Sequence, residues 1–166
     1  MTHAVLSEDS VKVDVRAILM DPVSQMPVVI LQPPSGSGYL PIWIGVCEAN
    51  AIALEMEGVA TPRPMTHDLI RSLIDATGFT VDHILIHSLS DSIFLASIRL
   101  SDGRHDITEV DSRPSDAIAV ALRTSAPVYV AEGVLRQAGV SETSEEEAIR
   151  LILERLSPED LGGYEM

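Results

Sequence analysis

The chain has 166 residues, 46% of them hydrophobic and 22% charged, which fits one folded domain and excludes a disordered chain. Its 25 acids stand against 11 bases, of which only Lys12 is a lysine, and the net charge of −14 excludes coating of duplex DNA by bulk electrostatics. Cys47 is the lone cysteine, so no intramolecular disulfide is available, and no apolar run approaches the roughly 20 residues of a membrane-spanning helix.

The start, Met1 to Asp9, has neither a basic region nor an apolar core, so no signal peptide and a cytoplasmic location are expected. From Val11 the apolar positions Val11, Val13 and Val15 alternate with Lys12, Asp14 and Arg16, the period of a strand with one wet face. Asp21-Pro22 turns the chain, Pro27 to Leu31 reads as a second strand, and Tyr39 to Ile44 as a third after a Pro/Gly/Ser loop. The links are too short for crossovers, which predicts an antiparallel meander. Cys47 to Glu57 is an alanine-rich helix stopped by Gly58. A second helix follows the Pro62-Arg63-Pro64 loop, with Thr66 as its cap, Leu69, Ile70, Leu73 and Ile74 at helical spacing, and Gly78 at its end. Phe79 to Leu89 and Ser92 to Leu100 are strands, and Ser101-Asp102-Gly103 is a hairpin turn into Arg104 to Val110. Pro114 opens a helix over Ser115 to Thr124, Pro127 to Ala131 is a short strand, and Glu132 to Ala138 makes one or two helical turns. The stretch 141–166 carries eight acids and two arginines. It predicts an acidic helix whose Leu151, Ile152 and Leu156 dock on the domain or a neighbour, followed by a loose tail.

Two helix starts concentrate chemistry. Arg63-Pro64-Met65-Thr66-His67-Asp68 places a cation, an imidazole and a carboxylate within one turn, and Asp111-Ser112-Arg113-Pro114-Ser115-Asp116 repeats the mixture without the imidazole. Free N–H groups and a partial positive charge at a helix start hold phosphate oxygens, and an adjacent arginine adds bidentate recognition. The same residues also read as plain caps (Thr66, Ser112) and dipole complements (Asp68, Asp116). The helix after Asp116 is apolar all round, however, so its charged start lies at the edge of a core and Asp111, Arg113 and Asp116 need partners.

Glu48 and Glu55 lie seven residues apart on one helix face. With Asp68, Asp111 or Asp116 nearby in space, either is a candidate ligand for Mg²⁺ or Mn²⁺, which favour carboxylate oxygens. The metal assignment falls on Glu48 and Asp111. His83 and His87 share a strand face about 13 Å apart, too far for joint ligation. Trp43 reads as core, and no Walker loop, dinucleotide fingerprint, nucleophile elbow or paired CxxC is present.

Three blocks in order carry a resemblance: Tyr39-Leu40-Pro41-Ile42-Trp43-Ile44-Gly45 with Glu48-Ala49 and Ala51-Ile52-Ala53, then Arg63 to Leu69, then Ser112 to Ala119 with Leu122-Arg123. Over Val11 to Val140 the chain resembles the bifunctional nuclease domain family. The resemblance implies a compact α+β domain, commonly a homodimer or higher homo-oligomer, acting on DNA and RNA. Together with the meander it gives an α+β fold: a mostly antiparallel sheet with helices packed on one side, in one domain over 11–140, followed by the acidic segment 141–166.

The function expected is hydrolysis of phosphodiester bonds, with nucleic acid as substrate rather than stable partner, no membrane, and a divalent metal as assistant. His67 would be general base or acid, Arg113 and Arg63 would clamp phosphate, Asp68 and Asp116 would orient His67 or hold metal, and Ser115 would contact substrate. A second reading from the same residues is a non-catalytic oligomeric module that binds an anionic small molecule or a protein partner.

Overall fold

The structure is a computed structural model, and it describes residues 9–104, 107–141 and 150. The meander is present as β1 (Ser10–Met20), β2 (Pro27–Gln32) and β3 (Leu40–Trp43), paired antiparallel in that order. Helices α1 (Val46–Met56) and α2 (Thr66–Ala76) follow, then β4 (Thr80–Ser90), β5 (Ile93–Ser101), β6 (Ile107–Ser112), α3 (Pro114–Thr124), β7 (Val128–Ala131) and α4 (Glu132–Ala138). The strands form one sheet in the order β3-β2-β1-β7-β4-β5-β6. Pairing is antiparallel except between β4 and β7, where Ile84 stands beside Val128. This is an α+β fold with a mostly antiparallel sheet.

Two local differences from the expected elements have simple causes. After β5, which ends at Ser101, Arg104 is not in a strand as expected, and Ile107 pairs with Ser101. The cap of α2 is Met65, with Thr66 already the first helical residue. Asp68 supplies the capping oxygen from the third position by accepting the Met65 N–H at 2.8 Å. A carboxylate three residues in does the work assigned to a hydroxyl at the start. The expected acidic helix and tail lie outside the described residues, apart from residues 141 and 150.

The core explains why α3 is apolar on every side. Ala117, Ile118, Ala119, Val120 and Ala121 are all buried, because α3 packs on β4 and β5 with one face and receives α1 and α2 on others. Strand β2 is likewise buried on both faces. Val29 and Leu31 join the main core, while Val28 and Ile30 pack with Tyr39, Val140, Leu19 and a half-buried Trp43. The β1–β2 turn holds a buried carboxylate, Asp21. Burial alone would raise its pKa, but donors from the Ser24 hydroxyl and the Val23 N–H outweigh that and hold it below the ordinary value. No helix among the described residues is long and apolar enough to cross a membrane.

Candidate active site

The starts of α1, α2 and α3 meet, and the side chains expected to carry chemistry form two connected networks there. In the first, the His67 imidazole donates from Nε2 to Asp116 Oδ1 at 2.9 Å. The carboxylate is only an acceptor, so Nε2 carries a proton, and in the neutral ring the lone pair lies on Nδ1. Arg113 donates from Nε to Asp116 Oδ2 at 2.8 Å and from Nη2 to Glu48 Oε1 at 2.8 Å, and its Nη2 also lies 2.8 Å from Asp116 Oδ2 as an ion pair. The result is a chain His67–Asp116–Arg113–Glu48 that joins α2, α3 and α1. The bond to Glu48, followed by the bond to Asp116 and the two negative charges, raises the Arg113 pKa above its ordinary value despite partial burial.

The second network was not foreseen. Arg123, whose side chain is only 3% exposed, donates from Nε to Asp68 Oδ1 at 2.6 Å. Its Nη1 bonds the Ala119 carbonyl and its Nη2 the Ala51 carbonyl, both at 3.0 Å. Asp68 Oδ2 is already taken by the Met65 N–H, so both of its oxygens have donors. The Met65 N–H and then Arg123 hold the Asp68 pKa below the ordinary carboxylate value, against the smaller opposing effect of burial. A signal for Arg123 was available in the sequence: it follows Asp116 by seven residues on a helix otherwise apolar, where a lone guanidinium requires a carboxylate from elsewhere.

The two networks differ in access. His67 is buried at 6% exposure, yet its Nδ1 makes no hydrogen bond among the described residues. Nor is it sealed from solvent, unlike Trp43 Nε1, His83 Nε2, Ser97 Oγ and Arg99 Nε, which are buried without a partner among the described residues. Arg113 is open, with its side chain 54% exposed and Nη1 left over after the bonds above. Arg63 is exposed on the loop before α2. Ser115 is buried in the first turn of α3 and makes no side-chain hydrogen bond among the described residues.

Asp111 is not part of this cluster. It sits exposed on β6 opposite Ser97, whereas the neighbouring Ala96–Ser112 pair marks the face that packs on the helices. Alternation along the strand therefore turns Asp111 to the other side of the sheet. The carboxylates that do gather are a poor fit for a divalent cation: Arg113 already stands between Glu48 and Asp116, and Arg123 fills the place beside Asp68. Among the described residues, no three His, Cys, Asp or Glu side chains gather where they could hold a metal ion.

The sequence profile of the family described as the bifunctional nuclease domain matches residues 29–143. The chain belongs to this family. An uncharacterized protein of Mycobacterium tuberculosis is 43% identical over 145 residues, covering 86% of each chain. Bifunctional nuclease 2 of Arabidopsis thaliana is 27% identical over 105 residues, 61% of this chain and 32% of the plant protein. Bifunctional nuclease 2 of rice is 26% identical over 118 residues, 69% of this chain and 36% of its own length. The bifunctional nuclease domain thus contains the whole cluster from Glu48 to Arg123, and the chain spans about a third of the plant relatives it matches.

Proposed function

We propose that this bifunctional nuclease domain hydrolyses phosphodiester bonds, with His67 as general base. The observation that carries the reading is the His67–Asp116 bond beside an open arginine. Asp116 fixes the tautomer and orientation of the ring, which leaves Nδ1 as the basic nitrogen. A water molecule gives a proton to Nδ1 while its oxygen attacks phosphorus, and the P–O bond to the leaving oxygen breaks, that oxygen keeping the bonding pair and taking a proton from solvent. Arg113, through Nη1, and Arg63 bind the phosphate oxygens and stabilise the charge that builds on them. Glu48 holds Arg113 in place from the far side. Asp68, with both oxygens engaged, is a positioning residue that fixes the start of α2 on which His67 sits. No step passes through a metal ion.

The test is cleavage of labelled single-stranded DNA and RNA by the purified full chain. His67→Gln keeps an amide that can still bond Asp116 but removes the base, so the rate should fall by about 10²–10⁴-fold with the fold retained. Undiminished cleavage by His67→Gln would end this assignment. One observation favours the binding-module reading instead: every gathered carboxylate is already paired inside the domain. Under that reading the parent protein binds phosphate-bearing ligands through Arg113 and cleaves none of them.

A further inference from the structure

Between the second half of α1, the connection that follows it and one side of α2 lies a cleft of 540 Å³. That size falls in the range of small-ligand sites, about 300–1,000 Å³. One wall is apolar, formed by Leu54, Val59, Pro64 and Met65, with Val59 48% and Met65 44% exposed. In the polar wall Asp68 is bound to Arg123, and Arg71, with its side chain 53% exposed, lies 3.7 Å from Asp75. Arg123 has each of its three nitrogens engaged inside the domain, so it is turned away from any phosphate in the cleft. Glu55 lines the same cleft. Its carboxylate is exposed at the cleft and makes no hydrogen bond or ion pair among the described residues.

An apolar wall beside a carboxylate that only accepts hydrogen bonds suits a flat ring bearing an exocyclic amino group. Cytosine, adenine and guanine offer such donors, and carboxylates pair with the amino group of cytosine, whereas thymine and uracil present a carbonyl at the same edge. The chain order adds the rest of a nucleotide. Pro64 and Met65 of the apolar wall are flanked by Arg63 on one side and, two residues on, by His67. We propose that this cleft receives an unpaired, amino-bearing nucleobase, with the backbone phosphate of the same strand directed to Arg63 and the His67 site. A base held in a duplex cannot enter, so the strand must be single. The proposal rests on the hydrolase reading for the fate of the phosphate, but its binding step can be measured alone.

The experiment uses the full chain carrying His67→Gln, to prevent cleavage, and follows fluorescence anisotropy of short labelled oligo-dC and oligo-dT strands at low salt. Oligo-dC should bind about tenfold more tightly than oligo-dT. Adding Glu55→Ala should remove that difference while leaving oligo-dT binding where it was. Equal binding of the two strands, or a preference that survives Glu55→Ala, overturns the proposal. So does capture of an oligolysine peptide in a Glu55-dependent way when neither strand binds, which would make the cleft a site for basic side chains. Base preference in binding without cleavage by the parent protein would uphold the cleft and sink the hydrolase reading. Cleavage by the parent protein with no base preference would do the reverse.

Discussion

Arg123 donates to a carboxylate on α2, a carbonyl on α1 and a carbonyl of its own helix, and so ties three helices with one side chain. Removing its counter-charge leaves a buried guanidinium with an unpaired Nε, so Asp68→Ala should cost about 3 kcal/mol in urea unfolding. The pH dependence has a definite sign. The folded pKa of Asp68 lies below its ordinary value, so its contribution is complete above about pH 4 and disappears as the pH falls through the lowered value. Acid titration of stability should show a component in the parent that Asp68→Ala lacks. Gly45 supplies a milder probe of the other network. A side chain there would run into the Glu48 carboxylate, whose flexible end can swing away at small cost. Gly45→Ala should therefore free Arg113 from Glu48 with a stability change of about 1 kcal/mol or less, the scale of an exposed ion pair. A crystal structure of the variant, or a weakened phosphate affinity, reads the effect. Arg113 also stands where a cation would sit between Glu48 and Asp116. Thermal-shift titration with Mg²⁺ or Mn²⁺ should leave the parent melting temperature unmoved, and Arg113→Ala should acquire a response.

At the scale of elements, periodicity placed nearly every strand and helix, because β-branched alternation and alanine-rich runs report local preferences directly. Their ends were less legible. Capping oxygens come from whichever side chain reaches, so Thr66 was the obvious residue and Asp68 the actual one. Asp111 and Ser112 read as the start of a helix but close β6, since the helix begins only where Pro114 fixes the backbone. The pairings that make the site, His67 with Asp116 and Asp68 with Arg123, span 49 and 55 residues. Such pairs leave no trace in local spacing: they follow from α2 and α3 packing together, which only the assembled helices reveal. The end of α3 offers an independent check. Ser125 caps it in the left-handed region at φ 55°, a conformation that costs a side-chain-bearing residue about 1 kcal/mol. Ser125→Gly should raise the melting temperature while leaving any cleavage activity unchanged.

On the scale of the whole molecule, the sheet order has a consequence for how the chain is made. The first three strands and the β4–β6 strands are each built from neighbours in sequence, yet they are joined only by β7, which enters between β1 and β4. The central strand of the sheet is thus the last one to leave the ribosome. Until it arrives, β1 and β4 each present an open row of unpaired N–H and C=O groups to the cell. Inserting it demands contacts between residues far apart in sequence, the kind that slows folding. A nascent chain halted before Val128 therefore carries two half-sheets with their inner edges exposed, the form most prone to aggregate and to recruit chaperones.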